Sequence, residues 1–268
     1  MKKDINEKSF LPDFDLELID KNSFANKVLF YPCAGNDIFD VISYFYPIID
    51  TFFFCDIHWR NVNPKSIKEI LPDFDLIKSY KEYIWRKNAN EIPNSRQVVD
   101  ARDRIIEPPL YRKRETRVTQ IWKNEKEKRE IKIIKVVGDG YKVFTNEEML
   151  KQIGIFFYRG DSYGEGGSDV RWLETATDRD FCYNGSGKHF DVVLQKIVNK
   201  GLIVVDGSNC GESYKFLKQY HNSRDLPFSI VDDATKDGNT FRCLGKITHR
   251  YGPTLVWEID KGNNERNE

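Results

Sequence analysis

The sequence predicts an α/β fold: a Rossmann-like, mostly parallel central sheet flanked by helices, with a β-hairpin insertion and a C-terminal antiparallel hairpin. Three observations predict it. Short, continuous apolar runs recur at residues 27–33, 51–56, 153–158 and 201–206, the signature of strands buried on both faces. Between the first two runs, Ile38, Val41, Ile42 and Phe45 recur at helical spacing. Turn residues close each run, and successive strands joined through a helix lie parallel because only a crossover returns the chain to the same edge.

In order, residues 1–26 are mixed and polar and are expected to form a lead-in arm or short helix. Residues 27–33 (KVLFYPC) are expected as the first strand, 37–46 as a helix ended by Pro47, and 51–56 (TFFFCD) as the second strand. Residues 64–90 are expected as two helical pieces broken near Pro72. The hexapeptide Leu-Pro-Asp-Phe-Asp-Leu occurs at 11–16 and again at 71–76, but no further similarity surrounds it, so it is read as coincidence and not as a repeat architecture. A charged stretch then alternates and turns apolar, which predicts a hairpin of strands near 117–122 and 130–137, with a Lys/Glu-rich edge that resists aggregation. Gly138-Asp139-Gly140 closes it. A short helix at 146–152, a strand at 153–158, helices at 190–198 and 214–220 around a strand at 201–206, and a final pair of strands at 241–247 and 254–259 complete the pattern. The domain is expected to span 27–260, with 58–130 as a helical and hairpin insertion and 261–268 as a disordered tail.

Composition narrows the function. The formal net charge is zero, so nucleic acid as a partner is not supported by net charge. The five cysteines form no CxxC pair and the four histidines have no metal-ligand spacing, so neither a disulfide framework nor a metal site is expected. The N-terminus lacks the apolar stretch of a signal peptide, and the most apolar region, 41–55, is interrupted by Pro47 and Asp50. A cytoplasmic protein with no membrane association is expected; oligomeric state is not indicated.

Ligands of a parallel sheet bind beyond the carboxyl ends of its strands, so the loops after each buried run carry the candidates. Residues 32–37 (PCAGND) offer small residues, Gly35 and a helix N-terminus with free N–H groups. Asp37 is equally suited to capping that helix. The absence of GxGxxG disfavours NAD and FAD. Asp56, about twenty residues on, presents two acceptors to a ribose or caps a turn. The loop 159–168 holds Gly160, Gly164, Gly166 and Gly167 among Arg159, Asp161 and Glu165, where either acid can serve as general base if its pKa is raised. Asp206 and Ser208 follow the 201–206 strand as a turn or a lining of the same crevice. Cys33 and Cys55 read as small buried apolar residues.

These stretches, in this order, resemble the class I S-adenosylmethionine-dependent methyltransferases. Residues 28–37 look like that family's first strand and glycine loop, 51–56 like its second strand with the ribose-binding acid, and 131–140 like its third strand with an acidic residue beside the adenine. Residues 153–161 correspond to the fourth strand and its loop facing the methyl group, and 201–206 to the fifth. The resemblance implies an S-adenosylmethionine cofactor held by Pro32, Ala34, Gly35, Asn36, Asp37, Asp56, Asp139, Arg159 and Gly160, with Asp161 and Glu165 in catalysis on an unknown substrate. The loop after 153–158 is not the Asn/Asp-Pro-Pro-aromatic signature of the amino-directed nucleic-acid enzymes, so base methylation is not supported. The lone glycine of the first loop motivates an alternative, a catalytically inactive binding or scaffold protein. A remote alternative is an ADP-ribosyltransferase, suggested by Phe157-Tyr158-Arg159-Gly160 but lacking a Ser-Thr-Ser stretch and a Glu-x-Glu pair downstream, for which Glu258-Ile259-Asp260 is a poor substitute.

Overall fold

A computed structural model of the chain describes residues 12–32, 34–35, 37–56, 62–87, 111–138, 140–158, 189–206, 234–236, 238–249 and 252–262. The first half carries β1 (Val28–Tyr31), α1 (Ile38–Phe45), β2 (Thr51–Asp56), α2 (Pro64–Ile70), β3 (Asp75–Lys87), β4 (Tyr111–Asn124) and β5 (Arg129–Val137). There follow α3 (Gly140–Asn146), β6 (Ile153–Tyr158), α4 (His189–Lys196), β7 (Ile197–Asp206), β8 (Ala234–Lys236), β9 (Asn239–His249) and β10 (Gly252–Lys261). All ten strands join one sheet in the order β3-β4-β5-β2-β1-β6-β7-β10-β9-β8.

This architecture corrects the expected Rossmann-like, helix-flanked, mostly parallel fold. The sheet is mixed and strand-dominated: five strand pairings are antiparallel and four parallel. Among the described residues there are four α-helices, none longer than eight residues. Part of the reason lies at 64–90, expected as two helical pieces broken near Pro72. Only Pro64–Ile70 is helix; Asp75–Lys87 is a thirteen-residue strand paired along its length with β4. Ile77, Tyr80 and Ile84 are spaced as on a helix face, but cross-strand pairing overrides that local preference. A second part lies at α4, which gives way at Ile197 to a strand earlier than expected. There Ile153 pairs with Ile197 while Ile155 pairs with Leu202, and Lys200 takes φ +61° in the intervening bulge. The short helix expected at 146–152 is a 3-10 turn, Glu148–Lys151, preceded by α3, which was not expected. The helix expected at 214–220 lies outside the described residues, as do residues 263–268.

The individual strands at 28–31, 51–56 and 153–158 form where the continuous apolar runs place them, and the hairpin and the terminal strand pair also form. Five strands, β5-β2-β1-β6-β7, run parallel in the centre. One face buries Phe30, Phe53, Ile134, Phe144, Phe156 and Trp257; Phe30 and Phe144 stack at 4.8 Å. The other buries Leu29, Tyr31, Phe52, Phe54 and Trp122 beneath α1. The end of α1 is fixed by Arg129, whose Nε donates to Asp50 Oδ1 at 2.7 Å while its guanidinium also reaches the Tyr46 carbonyl. Asn63 caps α2 by accepting from Lys65 N at 3.1 Å, with Pro64 opening the first turn.

The lead-in arm is anchored, not free. Phe14 N donates to Lys246 O and Lys246 N to Pro12 O, so the arm bridges β9 at Lys246, beside Gly245. Gly245 has φ +144°, and a Cβ there would sit 2.7 Å from Pro12 O, so only glycine lets the arm cross this close. Both copies of the hexapeptide bury their phenylalanine beside α1: Phe14 packs 6.4 Å from Tyr44, and Phe74 packs 6.4 Å from Tyr46.

Candidate functional site

From β1 the parallel strands are added first toward β2 and β5, then on the opposite side as β6 and β7. The chain therefore reverses its winding direction between β1 and β6, and a crevice at the carboxyl ends of such strands is where ligands bind. Three connecting segments are tied together at that edge. Ala34 N donates to Cys55 O at 2.7 Å, which folds the loop after β1 across the end of β2. Gly138 N donates to Asp56 O at 3.0 Å, and Cys55 Sγ contacts Gly138 O at 3.4 Å, joining the ends of β2 and β5. Lys135 Nζ then donates to Ala34 O at 3.1 Å, reaching from β5 to the first loop.

Lys135 was not anticipated. A lysine inside a strand ordinarily reads as solvent-facing, yet this one is fully buried. Its neighbours explain this: Lys135 pairs in register with Phe54, the middle of a run buried on both faces, and with Val118 on the other side. A buried polar group needs a partner, and Lys135 Nζ finds one in the Ala34 carbonyl, which it holds in place. Tyr31, also not chosen as a site residue, is buried and donates from its hydroxyl to Asp37 Oδ2 at 3.0 Å.

Of the residues expected to hold a cofactor, Pro32, Ala34, Gly35, Asp37 and Asp56 lie at this edge; Asp37 and Asp56 are buried. Asp37 stands at the N-cap of α1, just before Ile38, but its side chain makes no capping bond and turns to Tyr31 instead. Gly35 lies in ordinary backbone space, and a Cβ there would meet Asp37 Oδ1 at 3.7 Å, a normal contact. Asn36, Asp139, Arg159, Gly160, Asp161 and Glu165 lie outside the described residues, as do Cys33 and Ser208. Cys55 is buried, as a small apolar residue would be.

A groove of about 480 Å³ opens on the α1 face between the helix, the arm and β9, walled by Phe14, Tyr44, Phe45 and Phe157 and sharing Asp37 with the strand-end cluster. In it, Tyr44 donates to Phe14 O at 2.9 Å. Burial, then the nearby Asp15 and Asp13, push its phenol up to about 12. Among the described residues, no group of three or more His, Cys, Asp or Glu side chains is placed to hold a metal. No described helix is long and apolar enough to cross a membrane.

No protein-family model matches the chain, and no curated protein matches it either.

Proposed function

We propose that the strand-end edge binds the adenosyl part of S-adenosylmethionine and that the protein is a methyltransferase-like enzyme acting in the cytoplasm. The observation that carries this reading is the tie of the 32–37 loop, Asp56 and Gly138 into one edge at the winding reversal. The residues fit such a ligand. Asp56 ends β2 with a carboxylate whose two acceptors suit the paired hydroxyls of a ribose. Gly35 adds no side chain to the loop, so a ligand can approach its backbone. Bonds from Lys135 Nζ to the Ala34 carbonyl and from the Ala34 N–H to Cys55 O hold Ala34 before ligand arrives, which lowers the ordering cost of binding. The cofactor supplies an electrophilic methyl group on a sulfonium. The chain's part is to orient the acceptor and remove its proton, a role this reading gives to Asp161 or Glu165.

Titration calorimetry with S-adenosylhomocysteine tests the proposal. Binding is expected, with loss of detectable heat in Asp56→Asn. Gly35→Ala is the sharper variant: its Cβ has room in the folded chain, so stability is retained while ligand approach is blocked. No heat and no thermal shift with either adenosyl compound overturns the reading. Binding without methyl transfer to any acceptor favours the inactive scaffold alternative.

A further inference from the structure

β4 pairs with β5 only over Arg117–Asn124, while its outer six residues, Tyr111 to Thr116, continue with β3 as their partner. The direction of this overhang matters. Arg117 lies opposite Val136, and Asp56 opposite Val137, so the two-stranded ribbon leaves the sheet at the strand-end edge that carries the candidate site. At about 3.3 Å per residue, six residues carry it about 20 Å past that edge.

The ribbon's charge is one-sided. Residues 78–87 and 111–117 hold eight Lys and Arg against two Glu, in a chain whose net charge is zero. Charges that merely guard an edge strand can be of either sign; here eight of ten are positive. The register sets Arg86 opposite Arg112 and follows it with Trp85 opposite Lys113 and Ile84 opposite Arg114. Aromatic surface on β3 faces water at the overhang and beside it: Tyr83, opposite Glu115 in the overhang, is 43% exposed, and Tyr80, opposite Thr119 where β4 still pairs with β5, is 44% exposed with Lys78 Nζ 4.8 Å from its ring centre. Cationic strands with exposed aromatic rings suit a phosphate backbone whose unpaired bases stack on the rings; a duplex keeps its bases stacked on one another.

We propose that the outer β3–β4 ribbon is a binding surface for single-stranded nucleic acid. The ribbon as a binding surface stands independently of the adenosyl-ligand reading; nucleic acid as the substrate class of the strand-end site rests on that reading. Net charge hid this surface because the remainder of the chain carries the compensating acids.

Fluorescence anisotropy of the full chain tests it, with labelled oligothymidylate and oligouridylate of about 20 nucleotides and a duplex of equal length, at about 50 mM salt. Micromolar or tighter binding to a single strand is expected, weaker for the duplex. The log–log salt slope should be about −3 or steeper, corresponding to four or five phosphates neutralised. Arg112→Glu with Arg114→Glu should weaken binding at least about tenfold and flatten that slope. Tyr80→Ala or Tyr83→Ala should weaken it about fivefold or more. Melting temperature and S-adenosylhomocysteine affinity should be unchanged in all three, which separates a lost surface from a lost fold. No anisotropy change up to about 100 μM protein, variants that bind like the parent, or tighter binding of the duplex overturns the proposal. Nucleic-acid binding in a protein that ignores S-adenosylhomocysteine sustains the ribbon and overturns only the ligand reading.

Discussion

Phe52, Phe53 and Phe54 of β2 are fully buried, whereas every residue from Asp75 to Tyr83 of β3 is exposed. Both segments are strands of one sheet and both are rich in aromatic or aliphatic residues. The difference lies in what surrounds them. β2 has a parallel neighbour on each side and a packed core on each face. β3 is an edge strand with one neighbour. The centre is therefore held by apolar burial on both faces, which makes it the rigid platform on which a site can be placed. The ribbon is held by backbone pairing between β3 and β4, with residues 75–83 of β3 exposed.

The contrast can be broken at the centre with the largest effect. Phe30→Ala removes a ring that stacks on Phe144 and touches both Phe53 and Phe156, and should cost about 3–5 kcal/mol in urea unfolding. Lys135→Met keeps the stem but leaves the Ala34 carbonyl without its donor; a loss of about 1–3 kcal/mol is expected, with faster amide exchange around residues 34–37. At the α1 groove the effect is a pH dependence. The native state holds the Tyr44 proton up to about 12 while the unfolded chain releases it near 10, so stability should fall as pH rises between those values. Tyr44→Phe should flatten that fall and cost about 1 kcal/mol at neutral pH through the lost bond to Phe14 O. On the ribbon, Tyr80→Ser should change stability by no more than about 0.5 kcal/mol, because the ring already faces water. A larger loss there would show that the ribbon is packed against something and would erase the distinction between the two regions.

The same contrast governs what the sequence disclosed. Strands buried on both faces announce themselves as continuous apolar runs, so β1, β2 and β6 were legible from Leu29, Phe53 and Phe156 and their neighbours. β3 was not, because an exposed ribbon has no buried face to impose a two-residue period; Ile77, Tyr80 and Ile84 then mimicked a helix. That misreading, with the late start assigned to β7, fed the expectation of a helix-flanked, mostly parallel sheet. At the candidate site, Asp37 and Asp56 were legible as polar residues closing apolar runs. Lys135 was not, because its burial depends on β4 covering β5 and on the loop after β1 folding back over β2, neither of which is local. Asp37 reads as a ligand contact or a cap; its side chain makes no capping bond and accepts from Tyr31, because a buried hydroxyl needs an acceptor.

The central claim is that the loop after β1, the end of β2 and the end of β5 form one ligand-binding edge. The most direct measurement is a titration with S-adenosylhomocysteine followed by amide chemical shifts of the isotope-labelled protein, run in parallel on Gly35→Ala. The account predicts saturable shifts concentrated at Ala34, Gly35, Asp56 and Gly138, and their loss in a Gly35→Ala protein that melts with the parent. Shifts confined to the groove beside Tyr44, or none at any concentration, would contradict it.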